Sequence, residues 1–151
     1  MENPLYQLLY KQAQALIADE PDLIANMANL AALVYHNVED LNWVGFYLLR
    51  GEGLVLGPFS GQVACTRIAR GQGVCGKALA SQSTQVVSDV HAFPGHIACD
   101  AASESELVVP FNAMGFQCVF DIDSPILSRF SANEVDLFEQ LARLIEQHHQ
   151  I

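Results

Sequence analysis

The chain is poor in basic residues: 7 Lys plus Arg stand against 17 Asp plus Glu in 151 residues, a formal net charge of −10. A field of that sign repels phosphate backbones and anionic headgroups, so neither nucleic acid nor a membrane surface is an expected partner. No apolar run approaches the ~18–20 residues that cross a bilayer. Residues 1–10 carry no basic start followed by an apolar stretch of the secretory kind, so the expected compartment is cytoplasmic. C-x₂-C pairs, internal repeats and low-complexity tracts are also missing, and no shift in composition marks a second domain. What is there, 51% hydrophobic and 16% charged residues, fits one folded domain expected to span 1–151. A chain of this length buries roughly 68–70% of its unfolded surface without a disulfide or metal staple. Its four cysteines are therefore not required for folding. In a reducing compartment such thiols are packing groups, metal ligands or catalytic groups more often than crosslinks.

Asn3-Pro4 reads as an N-cap with proline at the first helical position, and Leu5, Leu9, Ala13 and Ile17 follow at helical spacing. Glu20-Pro21-Asp22 breaks that helix, and Leu23, Met27, Leu30 and Val34 lay out a second. From Asn42 the pattern turns to short β-branched and aromatic runs. Residues 43–49 and 54–57 make a hairpin across a glycine turn, 62–68 is a third extended run, 74–80 a short helix and 86–88 a brief strand. Residues 89–104 hold His91, His96 and Cys99 but no sustained apolar period, and a loop of that length in a compact domain is usually functional. Residues 107–112 and 116–123 form a second strand pair, and Ser131 with Glu134 spells a capping box for a closing helix. The order predicts an α+β domain with a central antiparallel sheet and helices packed on one side.

Several motifs carry more than one reading. Gly71-Gln72-Gly73-Val74-Cys75-Gly76-Lys77 matches two phosphate-loop patterns, but Ala78 replaces the hydroxyl residue and no βαβ unit surrounds it. A glycine turn that lets backbones approach closely is the simpler account. Cys65, Cys75, His96 and Cys99 could ligate zinc tetrahedrally, though only His96 and Cys99 have ligand-like proximity. The same cysteines could serve redox chemistry, in which a thiolate becomes a sulfenic acid and a second cysteine resolves it. Cys118 sits in an apolar strand and is assigned to packing. His91 and His96 read as loop surface residues, and His36, His148 and His149 as helix-end caps. Asp121 and Asp123 share one face of a strand because side chains alternate with period two, and Glu106 opens the adjacent strand. Three converging carboxyls would raise one another's pKa, keeping one protonated as a proton donor; solvated strand ends are the alternative.

Together these segments resemble free methionine-(R)-sulfoxide reductase, a GAF-domain family. The resemblance rests on Asn42-Trp43-Val44-Gly45-Phe46-Tyr47, Ala64-Cys65-Thr66-Arg67-Ile68, Gly71 to Gly76, His96-Ile97-Ala98-Cys99, Ser105-Glu106 and Asp121-Ile122-Asp123-Ser124. It implies reduction of the free amino acid's (R)-sulfoxide, with thioredoxin as reductant and no cofactor or metal. Carried over by motif, the nucleophile falls on Cys99, the resolving cysteine on Cys65, and Cys75 is a third pocket cysteine also able to form a disulfide. The aromatic wall falls on Trp43 and Tyr47. The acidic residues fall on Glu106, Asp121 and Asp123, with Glu106 the candidate acid. A homodimer is a common outcome for such an architecture. A non-catalytic GAF sensor using the same pocket is the alternative, and the cysteine set argues against it. The chain departs from the family pattern by one residue fewer between Pro110 and Asp121, which makes the register of the two aspartates a point for the structure to decide.

Overall fold

The computed structural model describes residues 2–96 and 101–150. Two helices open the chain, α1 (Pro4–Ile17) and α2 (Leu23–Asn37). The Asn3 side chain accepts from the Leu5 and Tyr6 N–H groups at 2.9 and 3.3 Å, satisfying donors that a helix start leaves orphaned. Asp22 does the same for α2 through the Ala25 N–H at 2.9 Å. The strands are β1 (Trp43–Arg50), β2 (Gly53–Gly61), β3 (Arg67–Ala69), β4 (Gln85–Val87), β5 (Ser105–Ala113) and β6 (Phe116–Ser124). The short helix α3 (Gly73–Ser81) sits between β3 and β4, and α4 (Ala132–His148) closes the chain. At its start the Ser131 N–H donates to Glu134 Oε1 at 2.7 Å, the expected capping box.

Among the described residues the six strands form one sheet in the order β3-β2-β1-β6-β5-β4, every pair antiparallel. Strand alternation sorts its central side chains cleanly. Val44, Phe46, Phe111, Phe120 and Ile122 face α1, α2 and α4 in the larger core, where Phe46 stacks on Phe120 with centroids 4.5 Å apart. Trp43, Tyr47, Val108 and Val119 face the other way, into a smaller core covered by α3. The long helices thus pack on one side as expected, while the short helix lies on the other. Cys118 belongs to the larger core and is fully buried there, in agreement with its packing assignment.

The β5–β6 register pairs Glu106 with Asp123 and Val108 with Asp121. That register runs without a shift from Ser105–Ser124 to Ala113–Phe116, and both aspartates stay on the α3 face. The third extended run is shorter than expected, only Arg67–Ala69 pairing with β2. Two β1 side chains take up its carbonyls instead: Trp43 Nε1 donates to the Gln62 carbonyl at 3.1 Å and the Tyr47 hydroxyl to the Cys65 carbonyl at 3.0 Å. The glycine motif is a turn and not a phosphate cradle. A Cβ at Gly76 would lie 2.9 Å from the Gly71 carbonyl carbon and 3.1 Å from the Ala69 oxygen, so glycine is needed for the start of α3 to pack on the preceding turn.

Candidate active site

A cavity of about 40 Å³, room for about three waters, opens between the α3 face of the sheet and residues 64–75. Trp43, Tyr47, Cys75, Glu106, Asp121 and Asp123 all line it, which brings together six of the eight site residues expected from the sequence. Cys65 is adjacent, its carbonyl held by the Tyr47 hydroxyl, and it is disulfide-bonded. Cys75 and Cys118 are free thiols. Cys99, the expected nucleophile, lies outside the described residues.

The aromatic wall is built by β1. Trp43 stacks between Tyr47, with centroids 5.9 Å apart and planes at 26°, and Phe59, at 5.3 Å and 15°. Gly45 makes this arrangement fit. On the same strand face between the two rings, a Cβ would fall 2.5 Å from Trp43 Cη2 and 2.4 Å from Phe59 Cβ.

Opposite the wall stand the carboxyls. Glu106, Asp121 and Asp123 are each less than a tenth exposed, on an otherwise apolar sheet face. One ligand atom each from Cys75, Glu106 and Asp121 lies within 4.8 Å of the others. Burial pushes the Glu106 carboxyl well above the ordinary range, and the neighbouring Asp121 adds to it. Asp121 is likewise raised by burial and by Asp123. Burial and the facing carboxyls push the Cys75 thiol up as well, so it is protonated near neutral pH and a poor nucleophile. Asp121 Oδ1 is buried with no hydrogen-bond partner among the described residues. A site with that arrangement is ready to receive a cationic or proton-donating group.

A family model for the GAF domain matches residues 22–148. The chain belongs to the GAF-domain family. Within the GAF family it is 46% identical to the free methionine-R-sulfoxide reductase of Escherichia coli over 147 residues, covering 97% of this chain and 89% of that protein. The fRMsr of Staphylococcus aureus in its reduced form superposes with a TM-score of 0.90 at 50% identity, covering 95% of this chain and 94% of the other. The free methionine-R-sulfoxide reductase from Neisseria meningitidis in complex with its substrate superposes with a TM-score of 0.91 at 41% identity, covering 98% and 91%. The resemblance drawn from the motifs is therefore borne out over nearly the whole chain.

Two residues of this GAF pocket were not among the substrate or catalytic residues expected from the sequence. His96, expected at the loop surface, lines the cavity with its side chain 15% exposed and Nε2 4.0 Å from Glu106 Oε1. Local turns bring it inward: a 3-10 turn at Val90–Ala92 is followed by a hydrogen bond from the His96 N–H to the Phe93 carbonyl at 3.2 Å. Lys77 Nζ sits 5.4 Å over the Phe93 ring and ties the loop to α3. The signals in the sequence were the spacing of His96 three positions before Cys99, which also made it a candidate zinc ligand, and its place in the motif shared with the family. Ser103, also in the cavity, accepts from Asn42 Nδ2 at 3.0 Å. His91 does stay exposed, 3.2 Å from Glu104, while His149 is buried at the end of α4 with Nε2 2.9 Å from Asn26 Nδ2. The zinc reading loses a ligand, because Cys65 in a disulfide offers no thiolate.

Proposed function

We propose that this protein reduces free methionine (R)-sulfoxide to methionine, with Cys99 as nucleophile, Cys65 as resolving cysteine and thioredoxin as the cytoplasmic reductant. The observation that carries the reading is the pairing of an aromatic wall with three buried carboxyls in one small cavity beside a disulfide-bonded cysteine. The names and substrate complex of the relatives support the same substrate.

The wall of Trp43 and Tyr47 receives the methyl and sulfur end of the substrate, where sulfur–aromatic contact is favourable. Asp121 and Asp123 hold the α-ammonium. A substrate in peptide linkage lacks that charge, so the free amino acid is preferred. Glu106, kept protonated by burial, donates to the sulfoxide oxygen as the Cys99 thiolate attacks. The substrate S–O bond breaks, its sulfur gains two electrons and leaves as the thioether, and the Cys99 sulfur is oxidised to the sulfenic acid. The Cys65 thiol then forms the disulfide and releases the oxygen as water. A dithiol of the thioredoxin class restores both thiols by exchange. Support for Cys65 over Cys75 as resolver comes from their states: Cys65 is disulfide-bonded, whereas Cys75 is a fully buried, protonated thiol.

The test is NADPH consumption with thioredoxin and thioredoxin reductase, using free methionine (R)-sulfoxide and the (S) epimer separately. Turnover with (R) alone, abolished in Cys99→Ser and strongly reduced in Cys65→Ser but not Cys75→Ser, is the expected result. Full activity in Cys99→Ser would overturn the nucleophile assignment, and inactivity of the folded, reduced wild type towards both epimers would overturn the function.

A further inference from the structure

Three groups in the cavity are metal ligands by chemical type and by position. One donor atom each from Cys75, Glu106 and Asp121 lies within 4.8 Å of the other two, and all three residues are less than a tenth exposed. His96 Nε2 stands 4.0 Å from Glu106 Oε1 and lines the same space. Donors bound to one zinc at about 2.0–2.3 Å stand roughly 3.3–3.6 Å apart, so side-chain shifts of about 1 Å bring the first three onto one ion, with the imidazole beside Glu106 to close a tetrahedron.

We propose that this cavity binds a zinc ion through Cys75 Sγ, one carboxylate oxygen each of Glu106 and Asp121, and His96 Nε2, and that the bound ion blocks the substrate's place. The set differs from the cysteine-rich one that spacing suggests, sharing only Cys75 and His96 with it. The metal site stands without the reductase reading. The blocking rests on that reading, in which Glu106 and Asp121 act on the substrate.

Two observations beyond the cluster point to a cation. Asp121 is 5% exposed and lines the cavity, and its Oδ1 is buried with no hydrogen-bond partner among the described residues; a bound cation satisfies such an acceptor. The cavity volume of about 40 Å³ suits an ion with a water or two. The donor types then select the metal. A thiolate and an imidazole beside two carboxylates favour zinc over magnesium or calcium, which take oxygen ligands and more of them. Coordination releases the thiol and carboxyl protons to solvent, and the two charges of the ion offset those of the anions left behind. The other such group among the described residues, Asp89, His91 and Glu104, is largely exposed, has no thiol, and already pairs His91 with Glu104 at 3.2 Å.

The test uses the protein with its Cys65 disulfide intact, so that Cys65 offers no thiolate. Titration with Co²⁺ as the spectroscopic stand-in should saturate at a single ion per chain, with a thiolate charge-transfer band and the d–d bands of a tetrahedral site, and Zn²⁺ should displace it. X-ray absorption of the zinc-loaded wild type should show one sulfur at about 2.3 Å and nitrogen or oxygen at about 2.0 Å. Cys75→Ser should abolish the charge-transfer band, and Glu106→Gln, Asp121→Asn and His96→Ala should each weaken binding at least about tenfold, whereas Cys118→Ala and His91→Ala leave it unchanged. A zinc shell without sulfur, a shell with two sulfurs, or binding lost in His91→Ala but kept in Cys75→Ser overturns the site, and the absorption result requires no variant to fold. Calorimetry with free methionine (R)-sulfoxide tests the blocking: the metal-free protein should bind it and the zinc-loaded protein should not. Equal binding to both overturns the blocking. Binding to neither, with the zinc shell as expected, removes the substrate assignment and the blocking with it, and leaves the metal site standing.

Discussion

Cys75 and Cys118 are both buried free thiols, yet they lie on opposite faces of the sheet, and that difference decides what their removal does. Cys118 packs among Phe46, Phe111 and Phe120 on the helix side, and burial pushes its thiol up to about 12. Cys118→Ala should leave turnover unchanged while costing about 1–2 kcal/mol for the small cavity it leaves, measured by urea unfolding alongside kinetics. A large kinetic loss without destabilisation would contradict this. Its packing role was legible because an apolar strand flanked it. The placement of His96 in the cavity was not, because a histidine in a loop carries no periodicity; the turn at Val90–Ala92 and the Lys77–Phe93 contact lie just before it in the same loop. The carboxyl pair Asp121 and Asp123 was legible from alternation alone, since period two admits a single common face.

At the scale of elements, β1 does two jobs with one alternation: Val44 and Phe46 feed the helix-side core while Trp43 and Tyr47 wall the site. Gly45 is the position where the second job constrains the first. Gly45→Ala should displace the indole or the Phe59 backbone, destabilise by about 1–3 kcal/mol through overpacking, and raise KM severalfold with a smaller change in kcat; unchanged kinetics would detach Trp43 from substrate binding. The capped helices were legible to within a residue or two, because caps and proline act locally. The run at 62–68 was read as longer than the strand it forms. Its β propensity is real, but the Trp43 and Tyr47 side chains capture the Gln62 and Cys65 carbonyls that a ladder would use, a tertiary effect invisible in the segment itself.

Across the whole molecule, two buried acids act on stability in opposite directions. Burial alone would raise Glu134, but hydrogen bonds from Ser131 and Tyr6 and the charge of Arg129 outweigh it and hold its carboxyl below the ordinary value of 4.5. Its contribution is therefore present above that value and lost as pH falls through the depressed folded pKa. Glu134→Ala should cost about 1–2 kcal/mol at pH 7, of the size of a lost cap, and progressively less in acid. Glu106 is the reverse. Raised in the fold, it stays protonated while the unfolded chain ionises, so stability falls as pH climbs from 4.5 towards the folded pKa. Glu106→Gln should remove that slope, gaining on the wild type as pH rises above 4.5 in denaturant titrations; parallel curves would mean Glu106 ionises freely in the fold. Burial likewise raises Asp121, so two of the three carboxyls on this face favour the protonated form. Occupancy of the cavity has a built-in reporter. The sequence contains one tryptophan, and it lines the cavity, so fluorescence excited at the red edge of the spectrum, where the four tyrosines absorb little, comes from that cavity, and a ligand entering it should shift the emission without any label.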